Sequence, residues 1–131
     1  MKVLVVVPAY NEQATIEDVL RALPHHIPAV VIDDGSTDET SAHARRAGAI
    51  VVRHVVNRGL GGALRTGFLF ALRNGFDAVI TLDADGQHEP REIPLFIAAL
   101  ESGTDVVIGS RRTQNMPQIR QVYNWIGRVI T

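Results

Sequence analysis

The chain has 131 residues, of which 46% are hydrophobic and 21% are charged, and its formal net charge is −1. These values are typical of one soluble globular domain and provide no bulk charge that would favour nucleic acid as a partner. The chain has no cysteine, which excludes thiolate metal ligands, a thiol nucleophile and disulfides. The apolar run at residues 3–7 is too short to span a bilayer and lacks the flanks of a signal peptide. The sequence therefore predicts a cytoplasmic protein and leaves open whether it is peripheral to a membrane.

Five short runs rich in valine and isoleucine are predicted to form buried strands. They lie at residues 3–7, 29–32, 49–52, 78–82 and 105–108. Their hydrophobicity is nearly continuous rather than alternating, which is expected when helices cover both faces of a sheet.

Helical signals alternate with these strands. In chain order they are an apolar stripe at residues 16–23, a capping-box spacing at residues 36–39 with Gly48 at the far end, a stripe at residues 60–72 followed by Gly75, a start near Pro90, and an amphipathic pattern at residues 114–131. Alternating strands and helices imply an α/β domain. We expect a Rossmann-like fold with a mostly parallel sheet of about five strands flanked by helices.

Polar residues follow every predicted strand. They lie at residues 8–12, 33–36, 57–62, 83–87 and 109–112. In an open α/β sheet, ligands bind beyond the carboxyl ends of the strands. The loops at the other edge of the sheet have the composition of ordinary helix ends, so the asymmetry predicts one polar site at the carboxyl edge.

The strongest of these motifs is the pair of acids Asp83 and Asp85, which ends a very apolar strand and precedes Gly86. Two neighbouring carboxylates repel each other unless a cation or a proton lies between them. Carboxylate and amide oxygens suit Mg²⁺ or Mn²⁺, and Gln87 could supply a third oxygen. We therefore expect a metal here in preference to a purely structural pair.

The other motifs leave alternatives open. Asp33 or Asp34 could cap the following helix instead of binding a ligand. Arg58 precedes a glycine-rich turn that enters a helix, which is either an anion site built from backbone N–H groups or a turn that needs glycine for close packing. One of Arg111 and Arg112 is expected to bind phosphate. Leu64 stands where a dinucleotide fingerprint would place its last glycine, so an NAD site is disfavoured, and the five histidines show no metal-ligand spacing.

Taken in order, these motifs resemble those of family 2 glycosyltransferases of the GT-A fold, especially the dolichol-phosphate mannosyltransferase-like branch that uses polyprenyl-phosphate acceptors. The resemblance runs from the first residues to about Thr113. It implies a nucleotide-sugar-binding domain at residues 1–113. It also implies that residues 114–131 begin an acceptor-side region that is otherwise missing from the chain.

The resemblance also implies roles for individual residues. Asp85 and Arg111 are expected to be catalytic, and Asp83, Asp85 and Gln87 to bind Mg²⁺ or Mn²⁺. We add Arg58 to these roles because of its possible anion site. The residues expected to bind the nucleotide or the donor are then Pro8, Tyr10, Glu12, Ile32, Asp34, Arg58, Asp83 and Ala84.

The implied reaction is the inverting transfer of a sugar from a UDP- or GDP-sugar to an acceptor, preferably a polyprenyl phosphate at the membrane surface, whose anionic oxygen needs no general base. No nucleic acid partner is expected, and a homo-oligomer is left open. A nucleotide-sugar-binding module without turnover is the main alternative. A nucleotidyltransferase is disfavoured, because residues 8–12 replace the glycine-rich basic loop that such enzymes place after the first strand.

Overall fold

The protein is built on a six-stranded sheet with the strand order β3-β2-β1-β4-β6-β5. A computed structural model describes residues 1–86, 90–109 and 124–128. The strands are β1 (Val3–Ala9), β2 (Ala29–Asp33), β3 (Ile50–Arg53), β4 (Ala78–Thr81), β5 (Val106–Gly109) and β6 (Asn124–Arg128). Strands β1 to β4 are mutually parallel, whereas β6 is antiparallel to both β4 and β5.

Within the described residues, four α-helices lie between the strands. They are α1 (Ile16–Arg21), α2 (Thr40–Arg46), α3 (Gly59–Arg73) and α4 (Ile93–Glu101), the last preceded by a 3₁₀ turn at Pro90–Glu92. The predicted α/β fold, with a parallel sheet flanked by helices, is confirmed. All five predicted strands are present, with ends shifted by one or two residues.

The side chains of β1 explain why its sequence is continuously apolar. Val3, Val5 and Val7 face a core cluster that includes residues of α1, α2 and α4. Leu4 and Val6 face a second cluster, which includes Ala63 and Ala71 of α3. Both faces of the central strand are therefore covered by helices, as the apolar run indicates.

The helix predicted over residues 114–131 is wrong at residues 124–128, which form β6. This strand lies between β4 and β5, where it pairs Ile126 with both Ile80 and Val107. An apolar residue at nearly every third or fourth position fits a helix, but such a segment also fits a strand, and pairing with two neighbours then overrides the local pattern. Residues 110–123 and 129–131 lie outside the described part of the chain, so the predicted domain boundary after Thr113 stays a prediction.

The capping box predicted at residues 36–39 is also wrong. Helix α2 begins at Thr40, and Glu39 precedes it without a side-chain cap. The Ser36 hydroxyl instead accepts a hydrogen bond from the N–H of Asn11 at 2.9 Å. The local spacing is that of a capping box, but the Ser36 hydroxyl oxygen is bound to the backbone of Asn11, which is distant in sequence, rather than to the start of α2.

Helix α3 packs unusually close to the sheet. Its buried residues are Ala63, Gly67 and Ala71, which recur every four residues. A Cβ atom on Gly67 would lie 2.3 Å from Val6 Cγ1. The stripe predicted for this helix is confirmed at its small residues and at Phe68, which packs against the second cluster. It is wrong at its ends, because Leu60 and Leu72 are 61% and 41% exposed.

Candidate functional site at the carboxyl edge of the sheet

The loop after β1 and the loop after β2 are joined side by side at the carboxyl edge. Side-chain to backbone hydrogen bonds connect Asn11 with Ser36 and Thr37, Glu12 with Thr40, and Gln13 with Asp38 and Glu39. Asn11 has a φ of 51°, a left-handed conformation that asparagine tolerates better than most residues. Two of the five predicted polar loops therefore form one continuous and well-fixed surface.

Asp33 has a structural role. Its side chain is fully buried, and it accepts hydrogen bonds from the N–H of Ser36 at 2.8 Å and from the hydroxyl of Ser41. Arg53 Nη1 lies 3.5 Å from Asp33 Oδ2, the oxygen that the Ser41 hydroxyl also contacts. Asp33 does not cap the following helix, as the sequence allowed, because α2 begins at Thr40 without a side-chain cap. It fixes the turn at Ser36 and the first turn of α2 through Ser41.

Asp34 is placed differently, because its carboxylate joins three elements. Its Oδ1 atom accepts hydrogen bonds from the N–H of Arg58 at 2.8 Å and from His54 Nδ1 at 2.7 Å. His54 Nε2 in turn lies 2.7 Å from the hydroxyl of Thr66 on α3. Burial raises the pKa of Asp34, but hydrogen bonds from the Arg58 N–H and from His54 outweigh it and hold the pKa below its ordinary value. Asp34 is therefore ionised at neutral pH and fixes the end of β2 to the start of α3.

Two backbone N–H groups of the glycine-rich turn before α3 are hydrogen-bonded within the protein. The Arg58 N–H donates a hydrogen bond to the Asp34 carboxylate, and the Gly59 N–H donates one to the Asn57 side-chain oxygen at 3.0 Å. A Cβ on Gly62 would lie 2.7 Å from the Cβ of Arg58. Close packing therefore explains Gly62, whereas Gly59 has a φ of 78° and, like Gly61, has open space at its Cβ position. The exposed Arg58 side chain is the part of this turn that could meet a ligand.

The acidic pair is held against the loop after β1. Asp83 is half-buried and Asp85 is exposed, and the buried Ala84 lies between them. The carbonyl of Ala84 accepts a hydrogen bond from the Thr15 hydroxyl at 2.6 Å, and that hydroxyl also lies 3.4 Å from Glu12 Oε2. The backbone of the acidic motif is thus anchored to the residue before α1, across 69 positions of sequence.

The oxygen donors at this edge suit a metal ion whose coordination is completed by the oxygens of a bound ligand. Within residues 1–86, 90–109 and 124–128, no group of three or more His, Asp or Glu side chains is arranged to hold a metal. Asp83 and Asp85 nevertheless provide two hard carboxylates, and Mg²⁺ is usually held by one or two carboxylates together with substrate phosphates. Gln87 and Arg111, predicted to help at this centre, lie outside the described residues.

The remaining predicted residues lie at the carboxyl ends of β1 and β2 and differ in how exposed their side chains are. Tyr10 is 47% exposed at the end of β1, and Pro8 and Glu12 are half-buried. Ile32 is fully buried, so its side chain belongs to the core. Tyr10 is therefore an exposed aromatic ring at this edge that a flat ligand could cover.

Two residues of this frame were not predicted. His54 follows β3 directly, so the rule that ligands gather at strand ends marks its position, although the histidines show no metal-ligand spacing. Thr15 gives no local signal, because its partner Ala84 is distant in sequence.

No helix in the described part of the chain is long and apolar enough to cross a membrane.

In an open α/β protein, ligands bind beyond the carboxyl ends of the strands, and this edge gathers acids, an exposed tyrosine and an arginine. The family model for Glycosyl transferase family 2 matches residues 4–127, and the chain belongs to that family. The resemblance seen in the motifs is thereby confirmed.

Relatives with assigned names include two enzymes of lipid-linked mannose transfer. The chain is 37% identical to undecaprenyl-phosphate mannosyltransferase of Micrococcus luteus, over 97% of this chain and 57% of that protein. It is 35% identical to polyprenol monophosphomannose synthase of Mycolicibacterium smegmatis, over 84% and 45% respectively. The chain thus spans about half the length of these curated relatives.

Among solved structures, glucosyl-3-phosphoglycerate synthase from Mycobacterium tuberculosis matches with a TM-score of 0.70 and 30% identity, over 85% of this chain and 46% of that one. Structures of that enzyme contain Mn²⁺ with UDP, or Mg²⁺ with UDP.

Proposed function

We propose that this chain binds the donor in an inverting glycosyltransferase, which transfers a sugar from a UDP- or GDP-sugar to a polyprenyl phosphate with the help of a divalent metal. The observation that carries the proposal is the hydrogen bond from Thr15 to the Ala84 carbonyl. It fixes the acidic pair beside Glu12 and the loop that ends β1. Nucleotide, diphosphate and metal would then meet on one surface.

Asp83 and Asp85 would hold the metal, together with Gln87 and the oxygens of the donor diphosphate. The metal would neutralise the charge that develops on the departing nucleoside diphosphate. The Mn²⁺ and Mg²⁺ complexes of the mycobacterial synthase support this assignment by homology. Family membership and the oxygen ligands offered by the two carboxylates both favour Mg²⁺ or Mn²⁺.

The rest of the nucleotide would lie along the ends of β1 and β2. Tyr10 would cover the base with its exposed ring, and Pro8, Glu12 and the backbone beside Ile32 would form the pocket around it. Asp34 would contact the base from a carboxylate already oriented by His54 and by the Arg58 N–H. A group held by two internal donors loses little freedom on binding, so its position favours a specific contact.

The acceptor half of the reaction rests on the names of the relatives. Undecaprenyl-phosphate mannosyltransferase and polyprenol monophosphomannose synthase support a polyprenyl phosphate as the acceptor. Its phosphate oxygen is already anionic, so attack on the anomeric carbon needs no general base. Arg111 and Arg58 would pair with phosphate charge of the donor or the acceptor.

A nucleotide-sugar-binding module without turnover is the second candidate. The observation that favours it is that the chain matches only about half the length of its curated relatives. In this case the donor would bind as described, but no sugar would be transferred by these 131 residues alone.

Calorimetric titration with a panel of UDP- and GDP-sugars, with and without Mn²⁺, tests the shared part of both candidates. We expect one donor class to bind and Mn²⁺ to strengthen the binding. Failure of every donor to bind in the presence of Mn²⁺ would remove the central proposal. Product formation from a polyprenyl phosphate and the donor that binds then separates the transferase from the module.

A further inference from the structure

His54 lies between β3 and α3, and both of its ring nitrogens contact a polar atom of the protein. Nδ1 is 2.7 Å from Asp34 Oδ1, and Nε2 is 2.7 Å from the hydroxyl of Thr66. The side chains of His54 and Asp34 are only 5% and 6% exposed. The two partners therefore determine which ring nitrogens carry a proton.

The contact with Asp34 requires a proton on Nδ1. Burial raises the pKa of Asp34, but hydrogen bonds from the Arg58 N–H and from His54 hold the pKa below its ordinary value, so the group is a carboxylate at neutral pH. A carboxylate has no hydrogen to donate. In the contact between Nδ1 and Oδ1, the donor must therefore be the histidine.

The contact with Thr66 requires a proton on Nε2. The Thr66 hydroxyl donates to the carbonyl of Gly62 at 3.1 Å, four residues earlier in α3, which is a common acceptor for a threonine hydroxyl in a helix. A hydroxyl has one hydrogen, so the Thr66 oxygen offers only lone pairs to His54. Nε2 must then donate, and the distance of 2.7 Å at each nitrogen fits a charged donor.

We infer that His54 carries a proton on both ring nitrogens at neutral pH, and that this buried imidazolium keeps Asp34 in its ionised form. A buried charge is stable when it is paired and hydrogen-bonded, and here each side chain provides the partner of the other. The pair adds no net charge to the interior.

Other charged side chains on the surrounding elements do not replace the histidine. Asp33 of β2 and Arg53 of β3 lie 3.5 Å apart and pair with each other. The side chains of Arg58 and Arg65 are exposed, as is that of Tyr10 after β1. Within the described residues, the imidazolium is therefore the cationic side chain in contact with the carboxylate.

The consequence for ligand binding rests on the proposed function. An ionised Asp34 can only accept hydrogen bonds, so it favours a base that turns a ring N–H toward it, as uracil and guanine can. A protonated Asp34 could also donate and would lose this preference. His54 is then a positioning residue that acts through Asp34, whereas the charge state of the pair does not depend on any bound nucleotide.

Heteronuclear NMR of the free 131-residue chain tests the charge state without a nucleotide. At neutral pH, both ring nitrogens of His54 should have the chemical shifts of protonated nitrogens, and the Asp34 carboxyl carbon that of a carboxylate. The spectrum of His54→Asn identifies the His54 signals by their loss. A His54 ring with one unprotonated nitrogen would overturn the inference, because the Thr66 hydroxyl would then be the donor.

His54→Asn keeps an amide N–H near Asp34 but removes the charge. Asp34 should then take up a proton at a higher pH, because burial is less well compensated. We measure affinity for UDP and for GDP with Mn²⁺, each relative to a ribose diphosphate that has no base. From neutral pH to about pH 5, roughly one unit above the usual pKa of aspartate, the ratio for the nucleotide that binds should fall by about fivefold or more, since one hydrogen bond to a charged group is lost.

The ratio should stay constant in the parent chain and in the control His26→Asn, whose exposed histidine lies at the opposite edge of the sheet. An equally constant ratio in His54→Asn, with Asp34 still ionised, would overturn the inference. If neither UDP nor GDP binds the parent chain, the proposed function fails, while the NMR spectra still decide the charge state of His54.

Thr66→Val provides a second test that does not depend on the folding of His54→Asn. It removes the acceptor for the Nε2 proton and keeps the shape of the side chain, so Nε2 should lose its proton rather than leave a buried charged donor unpaired. Thr66→Ser keeps the hydroxyl and should keep both protons. Identical ring spectra for Thr66→Val and the parent chain would contradict the assignment of Nε2 as a donor to Thr66.

Discussion

At the scale of single residues, the site depends on side chains that hold other groups in place. Thr15 holds the backbone of the acidic motif through the Ala84 carbonyl, and His54 holds the carboxylate of Asp34. Neither residue is expected to touch the reacting atoms. Each is a positioning residue, whose removal should disturb one aspect of ligand binding more than the stability of the fold.

Thr15→Val keeps the shape of the side chain but removes its hydroxyl. We expect nucleotide affinity in the presence of Mn²⁺ to fall by about fivefold, because one hydrogen bond worth roughly 1 kcal/mol no longer fixes the acidic motif. Affinity without the metal should change little, since the acids act through the metal. Calorimetric titration with and without Mn²⁺ measures both quantities.

Thr15→Ser should restore the metal-dependent binding, and Thr104→Val, at the exposed amino edge of the sheet, should have no effect. If Thr15→Val bound nucleotide as tightly as the parent chain with Mn²⁺, the hydroxyl would not position the acidic pair. An equal loss with and without the metal would indicate a general defect of the pocket.

At the scale of the elements, α3 shows how closely sequence and packing are matched. Gly67 allows the helix to approach Val6 of the central strand, whereas Gly61, on the same helix, has open space around its Cβ position. The same substitution at the two sites should therefore have opposite effects on stability.

Gly67→Ala is expected to lower the free energy of unfolding by roughly 1–3 kcal/mol, because the added methyl group overpacks the contact with Val6. Gly61→Ala is expected to raise it by about 0.5–1 kcal/mol, because alanine loses less backbone entropy in a helix. Urea unfolding of both variants measures the difference. An unchanged or increased stability for Gly67→Ala would show that α3 can move away from the sheet at little cost.

The elements also show what could be predicted from the sequence. Strands β1, β2 and β4 were predictable because their apolar runs are almost entirely buried, and β3 and β5 were predictable from their valine and isoleucine content. The gathering of polar residues at one edge followed from the rule for parallel sheets. The helix predicted at residues 114–131 was wrong at β6, because pairing with β4 and β5 overrides a local apolar spacing that fits either structure. The contacts of Thr15 with Ala84 and of His54 with Asp34 span 69 and 20 positions, so no local pattern could reveal them.

At the scale of the whole molecule, the sheet topology gathers the parts of the site. Strand β1 lies between β2 and β4, so the loops that carry Tyr10, Asp34 and Asp83 leave the sheet from three adjacent strands. Membership of glycosyl transferase family 2 is shown for residues 4–127. The chain covers about half of its curated relatives, so we propose donor binding for these residues first, and sugar transfer as the further step.

Metal-dependent nucleotide binding by Asp85→Ala tests that claim most directly. Calorimetry with the preferred nucleotide sugar should show that Mn²⁺ strengthens binding to the parent chain and to the control Glu101→Ala, whose exposed acid lies at the opposite edge. In Asp85→Ala the metal-dependent gain should vanish, while circular dichroism shows an intact fold. Full metal-dependent affinity in Asp85→Ala would contradict the account and would make the acidic pair a structural feature.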